Sequence, residues 1–224
     1  MIVLIMGKAG KGERELQLYK AKFIIPLNQS TDSVINKVNL NIRVSGFVQG
    51  VGFRPFVSRL AKLHFQNGWV ANTTDGVCIS IEGLPDNQTQ FLHDLKNRLP
   101  PFAEIQSLSV SQEPLTDYVG FQIQASIIDS KRSTFLLPDI ATCPDCLNDL
   151  FDRSSRFYRY PFTSCCNCGP RYSIIHSQPF DRVRTSMMEF KPCDECEADY
   201  GSIENRRFHA QTIACPKCGP QLHL

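Results

Sequence analysis

Eight of the ten cysteines fall into one pattern repeated at a fixed offset. Cys143, Cys146, Cys165 and Cys168 recur fifty residues later as Cys193, Cys196, Cys215 and Cys218. Asp149 returns as Asp199, Arg156 as Arg206, and Gly169-Pro170 as Gly219-Pro220. So many matches at one offset mark a duplicated module. Each copy reads C-x2-C-x18-C-x2-C. A Cys-x-x-Cys pair makes a tight turn that aims two thiolates at one point, and two such pairs complete a tetrahedron around Zn²⁺. Four thiolates leave no open coordination position, so the spacing predicts two structural Zn²⁺ rather than catalytic metal. A module of roughly 30 residues cannot build a sufficient core, so metal binding supplies much of its folding free energy. Pairing within each copy is the default; spacing alone also permits a cross-brace between copies. Cys166 is spare beside Cys165, and Cys78 reads as a small core residue.

The chain has 224 residues and a net charge of +2. The basic excess sits in the first 38 residues, while acidic and basic side chains nearly balance over 139–224. Arg153, Arg156, Arg159, Arg171, Arg206 and Arg207 are therefore expected to neutralise the thiolate clusters, and nucleic acid is not an expected partner. No apolar run is long enough to span a membrane. The start, MIVLIMGKAG, lacks a basic region before a short apolar stretch, which points away from a secretory signal and towards the cytoplasm. In that compartment clustered cysteines read as metal ligands rather than disulfides.

Residues 1–38 form an N-terminal extension without a readable pattern; GKAGKG at 7–12 lacks the Ser or Thr that a phosphate loop requires after its lysine. From Asn39 the pattern sharpens. Leu40, Ile42 and Val44 alternate with polar residues as in a half-buried strand. A helix follows, with Phe56, Val57, Leu60 and Ala61 on one face, running to about Gln66 and stopped by Asn67-Gly68. GWVANTT and GVCISIEG read as strands joined at Asp75-Gly76. A second helix carries Phe91, Leu92, Leu95 and Leu99, and Ile105, Leu108 and Val110 mark another strand, with a short last one in GFQIQAS. The order βαββαβ predicts an α+β, ferredoxin-like domain over 39–126. Residues 127–138 read as a linker, 139–189 as the first zinc module and 190–224 as the second.

Between the first strand and the first helix lies GFVQGVGFRPF (46–56). Glycine allows positive φ and close approach, so Gly50 and Gly52 let the backbone of Gln49, Gly50, Val51, Gly52, Phe53 and Arg54 wrap into an anion nest at a helix N-terminus. Arg54 adds an always-charged planar fork suited to phosphate. Glycines alone also fit a tight turn with a surface arginine. His209 stands where the repeat has Arg159, a difference between copies that sequence leaves without a role; His64, His93, His176 and His223 show no ligand or catalytic spacing.

IRVSGFVQGVGFRPF (42–56), with Gly68-Trp69-Val70-Ala71-Asn72 and Asp75-Gly76, resembles the acylphosphatase signature. The resemblance implies that Arg54 binds the phosphate and that Asn72, eighteen residues on, positions the attacking water. It further implies a reaction without metal at that site, with Thr74 as a possible assistant. A ferredoxin-like acylphosphatase domain followed by two four-cysteine modules resembles one family in particular, the hydrogenase-maturation carbamoyltransferases (HypF). LPDIATCPDC (137–146) and RRFHAQ (206–211) carry that likeness. It implies carbamoyl phosphate, or another acyl phosphate, as substrate and hydrogenase-maturation proteins as partners. Carbamoyl transfer itself is expected to need domains absent from these residues. Two other readings stay open: a free-standing acylphosphatase with structural zinc modules, and a non-catalytic interaction module.

Overall fold

A computed structural model describes residues 36–128 and 138–222. The GKAGKG stretch, most of the extension, most of the linker and His223 lie outside the described residues.

The first region is a sheet covered by two helices. Its elements are β1 (Val38–Phe47), α1 (Phe53–Leu63), β2 (Asn67–Thr73), β3 (Gly76–Gly83), α2 (Pro85–Asn97), β4 (Glu104–Glu113) and β5 (Phe121–Ile123). The strand order is β4-β1-β3-β2-β5. The first four strands are antiparallel, and β5 adds a short parallel edge against β2. The sheet is thus mixed rather than purely antiparallel. Alternation along the strands sends Ile42, Val44, Val70, Val77, Ile79 and Ile81 to the helix side. There they meet Phe53, Val57, Leu60 and Ala61 of α1 and Phe91 and Leu95 of α2. Each fully buried side chain of this size stabilises the fold by about 1.5–3 kcal/mol before entropy is counted.

The opposite face of the sheet is polar, buried at Asn39, Ser80 and Glu82 and exposed at Arg43 and along β4. Glu82 accepts from the amides of Thr116 at 2.8 Å and Asp117 at 3.1 Å. Ser80 and the indole of Trp69 both donate to the Tyr118 hydroxyl. Cys78 lies on this face beside Asn41, so it is buried without joining the apolar core. Helix α1 ends at Leu63, earlier than the sequence suggested. Phe65 takes a left-handed φ of 54° and turns the chain, and Asn67 already pairs in β2.

In the second region the two cysteine modules repeat their geometry. Helices α3 (Pro144–Phe151) and α4 (Asp194–Gly201) occupy equivalent places, and Arg159 and His209 share left-handed φ values of 57° and 53°. The copies are packed into each other. Phe157 and Tyr160 of the first share a core with Ile213, Ala214 and Cys215 of the second, joined by Met187 between them.

Candidate functional site

The loop from Val48 to Gly52 leaves β1 just past a bulge at Ser45/Gly46 and enters α1. Val48, Val51 and Phe53 turn their side chains into the core, which leaves the backbone on the outer side. Gln49 ties the loop down: its amide donates to the carbonyls of Thr73 at 2.7 Å and Gly76 at 2.8 Å. Gly50 and Gly52 both have φ of 73°. A Cβ at Gly50 would stand 3.0 Å from Arg171 Cδ, and one at Gly52 would stand 3.0 Å from Cys166 Cβ. These glycines therefore serve the left-handed turn and admit the cysteine region against the loop.

Arg54, in the first turn of α1, and Asn72, near the end of β2, are both buried. Their side chains converge. Arg54 Nη2 and Asn72 Nδ2 each donate to the Phe180 carbonyl at 3.3 Å. Arg54 Nη1 also pairs with Asp181 Oδ1 at 2.9 Å. The Phe180 amide donates to Gln49 Oε1 at 3.1 Å. Asn72 Oδ1 is buried with no hydrogen-bond partner among the described residues. The segment Phe180–Asp181, between the two cysteine clusters, thus reaches three of the residues singled out in the sequence.

Arg171 lies near the sulfurs of Cys165, Cys166 and Cys168, as expected, and also serves the loop. Its guanidinium donates to the carbonyls of Gly50 and of Cys166 and faces the Phe180 ring. Cys166 is not a metal ligand: its thiol turns away to the Phe208 carbonyl at 2.9 Å, and burial pushes its pKa up to about 12. His209 packs tilted against Tyr200 and edge-on to Phe208 and lines the cavity with Arg54. Burial, and then the nearby Arg54 cation, lower its pKa from 6.5 to about 4, so the ring is neutral at pH 7. The cavity enclosed by Gly50, Gly52, Arg54, Asn72, Arg171 and His209 measures about 30 Å³. It is polar and large enough for a water molecule. A wider groove of about 520 Å³ continues from Arg54 past Asp181 and His209 towards Arg182 and Arg184.

The eight cysteines form two separate groups, Cys143, Cys146, Cys165, Cys168 and Cys193, Cys196, Cys215, Cys218. The geometry is pairing within each copy, not a cross-brace. Sulfur separations are 3.7 Å for Cys143–Cys165, 3.8 Å for Cys165–Cys168, 3.7 Å for Cys193–Cys215 and 3.6 Å for Cys196–Cys218. A tetrahedron with Zn–S bonds of about 2.3 Å has edges of about 3.8 Å, so the donor sets fit zinc. The metal would act as a fourfold crosslink for each module. Among the described residues, arginine–sulfur hydrogen bonds come from Arg156 and Arg206, and each goes to the other copy: Arg156 to Cys196 Sγ at 3.1 Å, Arg206 to Cys146 Sγ at 2.8 Å. Arg207 instead bonds Asp149 and the Ser164 carbonyl.

The acylphosphatase family matches residues 40–123, and the HypF finger matches 142–175 and 193–224. The chain is 46% identical over 184 residues to the carbamoyltransferase HypF of Rhodobacter capsulatus, covering 82% of this chain and 24% of that protein. It is 38% identical over 93 residues to an acylphosphatase of Moorella thermoacetica, covering 40% of this chain and 97% of that protein. Among solved structures, full-length HypF in a phosphate- and nucleotide-bound form matches at 40% identity and a TM-score of 0.81, over 83% of this chain and 25% of that one. The chain therefore spans about a quarter of the length of the HypF proteins it matches.

Proposed function

Because the chain belongs to the acylphosphatase family over its first region and carries two HypF fingers, homologous to the N-terminal part of HypF carbamoyltransferases, we propose that it hydrolyses acyl phosphates, carbamoyl phosphate foremost. The observation that carries this reading is the convergence of Arg54 and Asn72, both buried, on one point beside the glycine loop.

The chemistry follows from charge and position. Arg54 and the backbone amides at the start of α1 take the phosphoryl oxygens and stabilise the charge that grows on them in the transition state. Asn72 lines the cavity, and its Oδ1, unpartnered among the described residues, accepts a hydrogen bond from the attacking water and holds its oxygen in line with phosphorus, the water protons staying with the phosphate product. The new bond joins water oxygen to phosphorus. The bond between phosphorus and the bridging oxygen breaks, and its electrons leave on the carbamate. A carboxylate-type leaving group departs as an anion, so no general acid is required. The name of the relatives, carbamoyltransferase, supports carbamoyl phosphate as substrate, and the resemblance to the hydrogenase-maturation carbamoyltransferases leads us to propose a role in hydrogenase maturation, at the step before the carbamoyl group is handed on.

Release of inorganic phosphate from carbamoyl phosphate and acetyl phosphate tests the reading. Arg54→Ala and Asn72→Ala are each expected to lower kcat/KM by at least a hundredfold with zinc content unchanged. Wild-type turnover in either variant refutes it.

A further inference from the structure

The residues that would do the chemistry do not hold their own geometry. Arg54 is a long side chain whose guanidinium needs a fixed partner if it is to meet a phosphoryl group in one orientation. Asn72 must present its oxygen, not its nitrogen, to a water proton. In both cases the second region supplies the partner. Asp181 Oδ1 lies 2.9 Å from Arg54 Nη1, and both side chains are largely buried. The Phe180 carbonyl takes one N–H of Arg54 Nη2 and one of Asn72 Nδ2. A carbonyl only accepts, so the atom of Asn72 facing it must be the amide nitrogen. Oδ1 is thereby turned away from Phe180, and it is buried without a hydrogen-bond partner among the described residues. Three of the five N–H donors of Arg54 remain for an incoming anion. Gln49 closes the arrangement by accepting the Phe180 amide, which fixes the segment to the loop it serves.

The geometry points to Asp181 as a positioning residue for acyl-phosphate hydrolysis: it pins Arg54, while the adjoining Phe180 carbonyl sets the orientation of Asn72. The finger region thus completes the phosphatase site. This inference rests on the proposed roles of Arg54 and Asn72. An uncompensated arginine would attract phosphate at least as strongly as a paired one, but in more orientations. The effect therefore falls on kcat rather than on anion binding.

The test uses the full chain with both zinc ions, measuring phosphate release from acetyl phosphate and competitive inhibition by inorganic phosphate. Asp181→Ala and the isosteric Asp181→Asn are expected to lower kcat about tenfold or more, with the phosphate inhibition constant within threefold of wild type. Asp181→Glu, which keeps the carboxylate, is expected to recover part of the loss. The unchanged inhibition constant separates positioning from a collapsed cradle. If both variants keep kcat within threefold while Arg54→Ala is inactive, Asp181 has no such role and the phosphatase reading stands. If kcat rises as phosphate binds more tightly, Asp181 is a plug that competes with substrate, and the positioning role is overturned. If Arg54→Ala is itself fully active, the phosphatase reading falls and this inference with it.

Discussion

Arg206 of the second module donates a hydrogen bond to Cys146 Sγ of the first at 2.8 Å, across 60 residues of chain. The repeat makes the reciprocal contact: Arg156 reaches Cys196 at 3.1 Å. Each arginine also pairs with the aspartate one helical turn beyond that cysteine, Asp149 or Asp199. The recurring Arg156/Arg206 and Asp149/Asp199 thus bind one copy to the other. A thiolate that accepts a charged hydrogen bond carries less excess charge, which stabilises the metal-bound form. Arg206→Ala is expected to weaken zinc at Cys143, Cys146, Cys165 and Cys168 by about 10–100-fold, and Arg156→Ala to weaken the other site. Chelator competition followed by mass spectrometry of cysteine alkylation reads which copy loses metal. Loss confined to the arginine's own copy would contradict the exchange.

Removal of zinc by a strong chelator is expected to unfold residues 138–222 and leave the sheet region folded. The two regions have separate apolar clusters, and the finger cluster is built around the cysteines themselves. The single tryptophan, Trp69, sits in β2 and bonds Tyr118, so its emission reports the sheet region alone. Tryptophan emission should hold while protease sensitivity appears across the fingers. Acyl-phosphate turnover should fall but not vanish, because Arg54 and Asn72 lose Phe180 and Asp181 as partners but keep their places on α1 and β2. Protease resistance of the fingers after zinc loss would show that their packing outweighs the metal.

Much of this was legible in the sequence. Period-two alternation at Leu40, Ile42 and Val44 gave β1, and the fixed offset gave the duplication. What was not legible has one physical origin: contacts between regions leave no local periodicity. Gly52 was readable as a left-handed position, yet nothing in the sequence says that Cys166 will lie against it. Arg171 reads as a neighbour of thiolates, which it is, but nothing local says that its guanidinium also reaches the Gly50 carbonyl. Asp181 sits in PFDRVR, which has no motif spacing to Arg54; only the interlocked fingers bring it within 2.9 Å.

His209 supplies a pH dependence with a definite sign. Its ring packs between Tyr200 and Phe208, faces the Arg54 cation and lies near the Asp181 carboxylate. Burial first, and Arg54 second, lower its pKa from 6.5 to about 4, while Asp181 opposes the shift. The unfolded chain therefore binds a proton at His209 below about pH 6.5 that the folded chain refuses until about pH 4. Where the unfolded state holds more protons, stability rises with pH. The contribution is full above pH 6.5 and is lost as the pH falls from 6.5 towards 4. His209→Gln, which keeps a polar side chain of similar reach without a titrating ring, is expected to flatten the decline in thermal midpoint over that window and to leave the midpoint at pH 7.5 nearly unchanged. Asp181→Asn removes the carboxylate that favours the charged ring, so it should lower the His209 pKa further and delay ring protonation to lower pH. Nuclear magnetic resonance titration of the ring protons measures the pKa in both backgrounds. A ring that titrates near 6.5 in the folded protein would show that His209 is exposed to water and not packed against Arg54.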